Sequence, residues 1–344
     1  MTQHLARAAA LAAVVLLLGA CAGRCVRCVP SAPREAKDSK DANYYNWTYR
    51  ETMLDPFWWT TLVDVPTARK NFGTGGGATV AIVGTGVLNG HEDLPKIVPG
   101  KATCGSKPDD ANDTTNGHGT QLAGITLGRD PGHATRGMAP DTALIPIKVD
   151  CGVVSAEALT NGVDAAIASK PDVILIAIGG YPSGPPDFEA FMLKRVNDNP
   201  GILFVVASVW DGTHEYAFPA WTQTANALVV ASMTLDAEKT DRKKVSKREI
   251  PYGARRGNIW APGRSIETAD IELEPGSPTT HSQFSMHGTS PAAAIVAGCA
   301  ALIKGKTGTG GAALKSALLS GVDTAPDLAP AGRLNCGKAA VPPR

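Results

Sequence analysis

The sequence predicts a three-layer α/β fold with a mainly parallel central sheet flanked by helices, on three observations. Five short apolar runs, 78–83, 144–149, 173–178, 202–207 and 227–231, are nearly continuous rather than alternating, as expected for strands covered on both faces. Helical stretches at 156–169 and 188–197 stand between them, and alternation of strand with helix builds a parallel sheet with helices on its faces. The chain is long enough, at 344 residues with 43% hydrophobic and 19% charged content, to bury one large core.

Taken from the start, residues 1–7 carry positive charge without an acid, and 8–18 form an unbroken apolar run that ends in Leu18-Gly19-Ala20-Cys21. This is a signal peptide over 1–20, too short to remain as a spanning helix. Small residues directly before a cysteine are similar to the bacterial lipoprotein signal, so Cys21 is the expected lipidation site and the protein is expected at the bacterial cell envelope. Ala22, rather than aspartate, follows Cys21, which in a Gram-negative host points to the outer membrane. Residues 21–50 are rich in Ser, Pro, Ala, Lys and Asp without apolar periodicity and read as a flexible tether. Within it, Cys25 and Cys28 lack a second pair or a nearby histidine, so a tail disulfide or further acylation suits them as well as a metal does.

The folded domain is expected over 51–344. It opens with an apolar cluster, Phe57, Trp58, Trp59 and Leu62, and a short helix over 66–72 closed by Gly73. Farther on, 292–303 is apolar all round and Pro291 suits a first helical position, so a buried helix should begin directly after Ser290, with Ser290 as its N-cap. The basic stretch 238–249 reads as a solvated hairpin loop.

Charge and motif argue against two function classes. Lys and Arg number 33 against 32 Asp and Glu, a net charge of +1, so nothing supplies the field that nucleic acid partners require. The turn GTGVLNG (84–90) superficially resembles a dinucleotide loop, but Asn89 replaces the third glycine, and Pro95, Pro99 and Gly100 occupy the place where a phosphate-binding helix must begin.

Three segments carry a specific resemblance. VAIVGTGVLNGHEDL (80–94), NGHGTQLAG (116–124) and HGTSPAAAIVAG (287–298) resemble, in order and spacing, the strand, histidine and serine motifs of subtilisin-like serine proteases, the peptidase S8 family. GMAPDTALIPIKV (137–149), DVILIAIGG (172–180), IWAPG (259–263) and GRLNCGKAA (332–340) extend the likeness to the C-terminus. The resemblance implies that Ser290 is the nucleophile and His118 its general base. It also implies peptide binding by strand addition along Ala177, Ile178 and Gly179, a disulfide between Cys104 and Cys151, and a calcium ligand at Asp93. One carboxylate makes no metal site, so no cofactor is expected. Cys299 reads as an inert apolar residue of the buried helix, and no partner for Cys336 is apparent.

Two positions depart from the family. Gly84 stands where the family carries the aspartate that orients the histidine, a loss worth about 10⁴ in rate in a serine protease of another fold. Trp210 stands where the family carries an asparagine oxyanion donor, worth roughly 10²–10³ within the family. Asp109, Asp110, Asp113 and Asp211 are the candidate replacement acids, and acids in such polar loops normally read as solvated turn formers. Between Cys21 and the domain lie about thirty residues, too few for the folding-assisting pro-domain that exported members commonly carry. The expectation is a membrane-anchored pseudoprotease that binds peptide or protein partners; the alternative is a low-turnover serine endopeptidase.

Overall fold

The five apolar runs become the middle strands of one sheet, because each has side chains that must be covered on both faces. In a computed structural model the described residues are 57–95, 97–129, 136–178, 188–210, 215–216, 223–235, 245–246, 257–274, 277–324 and 331–340, all within the unit Thr48–Arg344. The signal peptide, the tether with Cys21, Cys25 and Cys28, Gly179, Asp211 and most of the basic stretch lie outside them. Among the described residues no helix is long and apolar enough to cross a membrane.

The strands in chain order are β1 (Thr79–Gly84), β2 (Lys101–Ala102), β3 (Ala143–Lys148), β4 (Val173–Ile176), β5 (Leu203–Ala207), β6 (Val209–Trp210), β7 (Glu215–Tyr216), β8 (Ala227–Leu235), β9 (Val245–Ser246), β10 (Ile259–Pro262), β11 (Ile266–Glu274) and β12 (Ser277–Met286). The helices are α1 (Trp58–Leu62), α2 (Val65–Phe72), α3 (His118–Leu127), α4 (Ala156–Ala168), α5 (Phe188–Asp198), α6 (Thr289–Thr307) and α7 (Gly311–Ser320). The sheet runs β10-β8-β5-β4-β1-β3-β2, with every neighbouring pair parallel, and β9 joins β8 antiparallel.

Side chains alternate across a strand, which divides the core in two. Val80 and Ile82, Leu144, Val173 and Leu175, and Leu203 and Val205 pack with α2, α3, α6 and α7. Ala81 and Val83, Ile145 and Ile147, Ile174 and Ile176 pack with α4 and α5. Each such Val, Leu or Ile contributes about 1.5–3 kcal/mol by leaving water.

Local signals set the helix starts. Asp64 accepts the Thr67 N–H ahead of α2, and Ser155 accepts the Ala158 N–H ahead of α4. The long antiparallel hairpin β11–β12 was not among the expected elements. Its first strand, IETADIELE, alternates apolar with polar residues only from Ala269 onward, and the consecutive Thr268 and Ala269 are both buried, so no two-residue period runs the length of the strand; its pairing shifts register between Asp270 and Glu272.

Cys104 and Cys151 are joined by a disulfide of S–S 2.09 Å. The reading of Cys299 as an unpaired apolar residue is overturned, since it is bonded to Cys336 across 37 residues. An all-apolar helix announces that Cys299 is buried but not what buries it. The C-terminal segment does so, held by Leu334 N–H to the Trp260 carbonyl and Cys336 N–H to the Val63 carbonyl, both 2.8 Å. Asp323 fastens the same segment. Burial raises its pKa, but hydrogen bonds from Lys338, Asn335 and Arg333 outweigh that and hold its carboxyl at about 2.

Candidate active site

Strand parity selects the face on which the site forms. Val80 and Ile82 point toward α3 and α6, and the next residue of that parity is Gly84, the last of β1, in register with Lys148 of β3. On β4 the same parity passes through Val173 and Leu175 to Ala177, just past the strand end. Both α3 and α6 pack on β1. Their first turns carry His118 and Ser290, so the carboxyl ends of β1 and β4 and the amino ends of two helices converge.

The turn before His118 is built around one acid. Asp113 is 0% exposed. One of its oxygens accepts the N–H groups of Thr115 (3.4 Å) and Asn116 (3.0 Å), and the other accepts the Gly117 N–H (2.9 Å) and the Thr85 hydroxyl (2.6 Å). The Thr85 hydroxyl accepts the Gly119 N–H at 2.8 Å, which ties the end of β1 to the start of α3. Gly117 enters the helix at φ 88°, in the left-handed region that a glycine adopts without strain. Asp113 is therefore no solvated turn former. The other two described candidates behave as expected: Asp109 pairs with Lys101, and Asp110 accepts the Asn112 N–H, on the surface.

His118 itself is half-buried, and its backbone N–H donates to the Asn116 side-chain oxygen at 3.2 Å. Its ring makes no hydrogen bond with any described residue. Burial lowers the pKa of the imidazole, while the negative charges of Asp113 and Asp150 act in the opposite direction. Asp113 has committed its lone pairs to four other donors, and Asp150, beyond β3, accepts the Gly152 N–H at 2.8 Å. At Gly84 there is no side chain to do more, and a Cβ there would meet no other described residue within 4 Å.

Ser290 departs from its expected position. The N-cap of α6 is Gly288, at φ 111°, where a side chain would be strained; Gly288 N–H is bonded to the Gly263 carbonyl at 2.7 Å. Ser290 thus lies in the first turn rather than at the cap. Its hydroxyl donates a long bond, 3.4 Å, to the Ala177 carbonyl. The sequence reading also passed over His287, three residues ahead. Its Nδ1 accepts the Ser265 N–H at 3.0 Å, and burial together with the Arg264 charge lowers its pKa to about 4. This ring is neutral with its lone pair engaged, so it is not a base for Ser290. Only its place inside HGTS marked it out.

Of the expected peptide-binding positions, Ala177 is buried, Ile178 is half-buried against the α4 and α5 side, and Gly179 lies outside the described residues. The backbone of Trp210 pairs with Glu215 in the two-stranded β6–β7 ribbon. Asp93 is buried and donates its N–H to His91 Nδ1 at 3.1 Å. Among the described residues no group of three or more His, Cys, Asp or Glu is arranged to hold a metal ion.

A model described as the Subtilase family matches residues 75–333. The chain belongs to the subtilase family. Among its relatives, the Major intracellular serine protease of Bacillus subtilis (strain 168) is 31% identical over 65% of this chain and 67% of its own. The Alkaline protease of Alkalihalobacillus alcalophilus is 30% identical over 72% of this chain, which spans 60% of that relative. A crystal structure of MycP1 with the N-terminal propeptide removed aligns with 82% of this chain and 96% of its own, with a TM-score of 0.63 and 24% identity, which shows the shared fold. The matched span of this subtilase includes Gly84, His118, Trp210 and Ser290.

Proposed function

We propose that this subtilase is catalytically impaired and that it uses the retained site to bind extended peptide or protein segments at the bacterial cell envelope, anchored by lipid on Cys21. One observation carries the reading: Gly84 offers no acceptor, and the His118 ring has no hydrogen bond among the described residues. An imidazole without an acceptor on its far side is not held in the tautomer that takes a serine proton, and the imidazolium that forms is poorly stabilised. The Ser290 hydroxyl, turned to the Ala177 carbonyl, supports the same view. Strand addition needs only main-chain groups, so loss of the acid leaves peptide binding untouched. The anchor rests on the amino-terminal sequence alone.

A second reading, a low-turnover serine endopeptidase, has one observation in its favour: Asp113 and Asp150 both place negative charge near His118. A fluorophosphonate probe separates the two. The expected result is negligible Ser290-dependent labelling of the wild-type chain and ready labelling of Gly84→Asp with Trp210→Asn. Rapid wild-type labelling, with casein hydrolysis lost in Ser290→Ala, overturns the impaired reading.

A further inference from the structure

Gly84 is buried, yet a Cβ on it would meet no heavy atom within 4 Å among the described residues outside its chain neighbours. Nearby glycines stand in the opposite situation. A Cβ on Gly119 would meet the Gly86 carbonyl at 1.9 Å, and one on Gly124 would meet the Thr268 hydroxyl at 2.3 Å. Interiors are close-packed, so an opening inside the sheet face that carries α3 and α6 is a local feature of β1.

The polar groups around this opening come from each element packed against it. From β1, the Thr85 hydroxyl is committed to Asp113 and Gly119. From β3, Lys148 shares the register position of Gly84 and donates its Nζ to the Asn112 carbonyl at 2.9 Å, while Asp150 lies two residues on. From the hairpin, Asp270 accepts from Gln121 at 2.8 Å. From the link between β12 and α6, His287 accepts the Ser265 N–H at its Nδ1. Of the described groups just named, together with the His118 ring, that ring is the one left without a hydrogen bond, and what an imidazole lacks when its acid is missing is an acceptor.

We propose that the opening at Gly84 binds a small carboxylate of about the size of formate, which accepts a hydrogen bond from the His118 imidazole and orients it. The inference rests on the impaired-site reading, since it places in solution the group that the chain has lost. Charge sets when the anion enters. Asp113 and Asp150 repel it, Lys148 attracts it, and a protonated His118 tips the balance. Carboxylate binding and imidazole protonation therefore promote each other.

The test is a ring-¹⁵N NMR titration of His118 in the full chain, in formate and in chloride at equal ionic strength. Saturating formate is expected to raise the His118 pKa by about one unit, equal to a tenfold preference for the protonated ring. Gly84→Asp is expected to show a raised pKa already in chloride with no further response, and Gly84→Val, which fills the opening, no response at all. A His118 pKa identical in formate and chloride overturns the proposal, as does a formate response that persists in Gly84→Val. Fluorophosphonate labelling in chloride alone is read in parallel. Fast labelling there overturns the impaired-site reading, whereas slow labelling with an unresponsive ring overturns the carboxylate site and leaves that reading standing.

Discussion

Thr85 and Gly84 are consecutive residues, and their surroundings are opposites. Around Thr85, both oxygens of Asp113 and the Thr85 hydroxyl are hydrogen-bonded, and the carboxylate at the centre of the turn is wholly buried. At Gly84 a side chain would meet no described residue within 4 Å of its Cβ, and the imidazole that faces the same side of the sheet has no hydrogen bond among the described residues. A buried carboxylate stripped of its donors costs several kcal/mol of stability. A missing acid beside a histidine costs little until a transition state needs it. Folding thus enforces the frame of the site without enforcing its chemistry.

Four changes test that contrast, beginning with the largest effect. Gly84→Asp combined with Trp210→Asn is expected to raise the rate of Ser290 phosphonylation on the order of 10³-fold or more, below the product of the two separate terms because such groups act as a unit. An unchanged labelling rate would mean that the chemistry fails for some other reason. Next, Asp113→Ala leaves the Thr85 hydroxyl and the turn N–H groups without their acceptor, and urea unfolding should show a loss of about 1–3 kcal/mol for each buried donor left unpaired.

The third change concerns His287, whose folded pKa of about 4 lies below its ordinary 6.5. Between these values the unfolded chain binds the proton that the folded chain refuses, so stability should fall as pH drops from about 6.5 toward about 4. Thermal melts across that window should show the decline, and His287→Gln should flatten it. The smallest effect belongs to Gly84→Ala. Its new methyl group meets open space, so stability should stay within about 1 kcal/mol of wild type, shifted upward by the loss of glycine's backbone freedom. A large destabilisation would show that the opening is not there.

The fold was readable because parallel strands covered on both faces leave continuous apolar runs, and β1, β3, β4, β5 and β8 each fall on one. β2, β6, β7 and β9 were not, since two-residue strands carry no period. Gly84, His118 and Ser290 were legible as positions through motif spacing, and the structure brings all three to one face of the sheet. Asp113 was not distinguishable from Asp109 and Asp110 in sequence. Its hydroxyl partner is Thr85, 28 residues earlier in the chain, and a polar loop does not reveal which of its acids a distant hydroxyl will capture. Cys299 failed for the same reason, its partner lying in a segment with no periodic signal.

By itself the sequence determined which residues must leave water, and hence the layers, the strand parity and the absence of an acid at position 84. Tertiary structure alone decided which polar groups meet: Asp113 with Thr85 and Gly117, Cys299 with Cys336, Ser290 with the Ala177 carbonyl, and the His118 ring with none of the described residues. Burial follows from local composition, because water rejects apolar surface wherever it lies. Hydrogen bonds need two groups within about 3 Å at a suitable angle, and only the folded chain sets such distances.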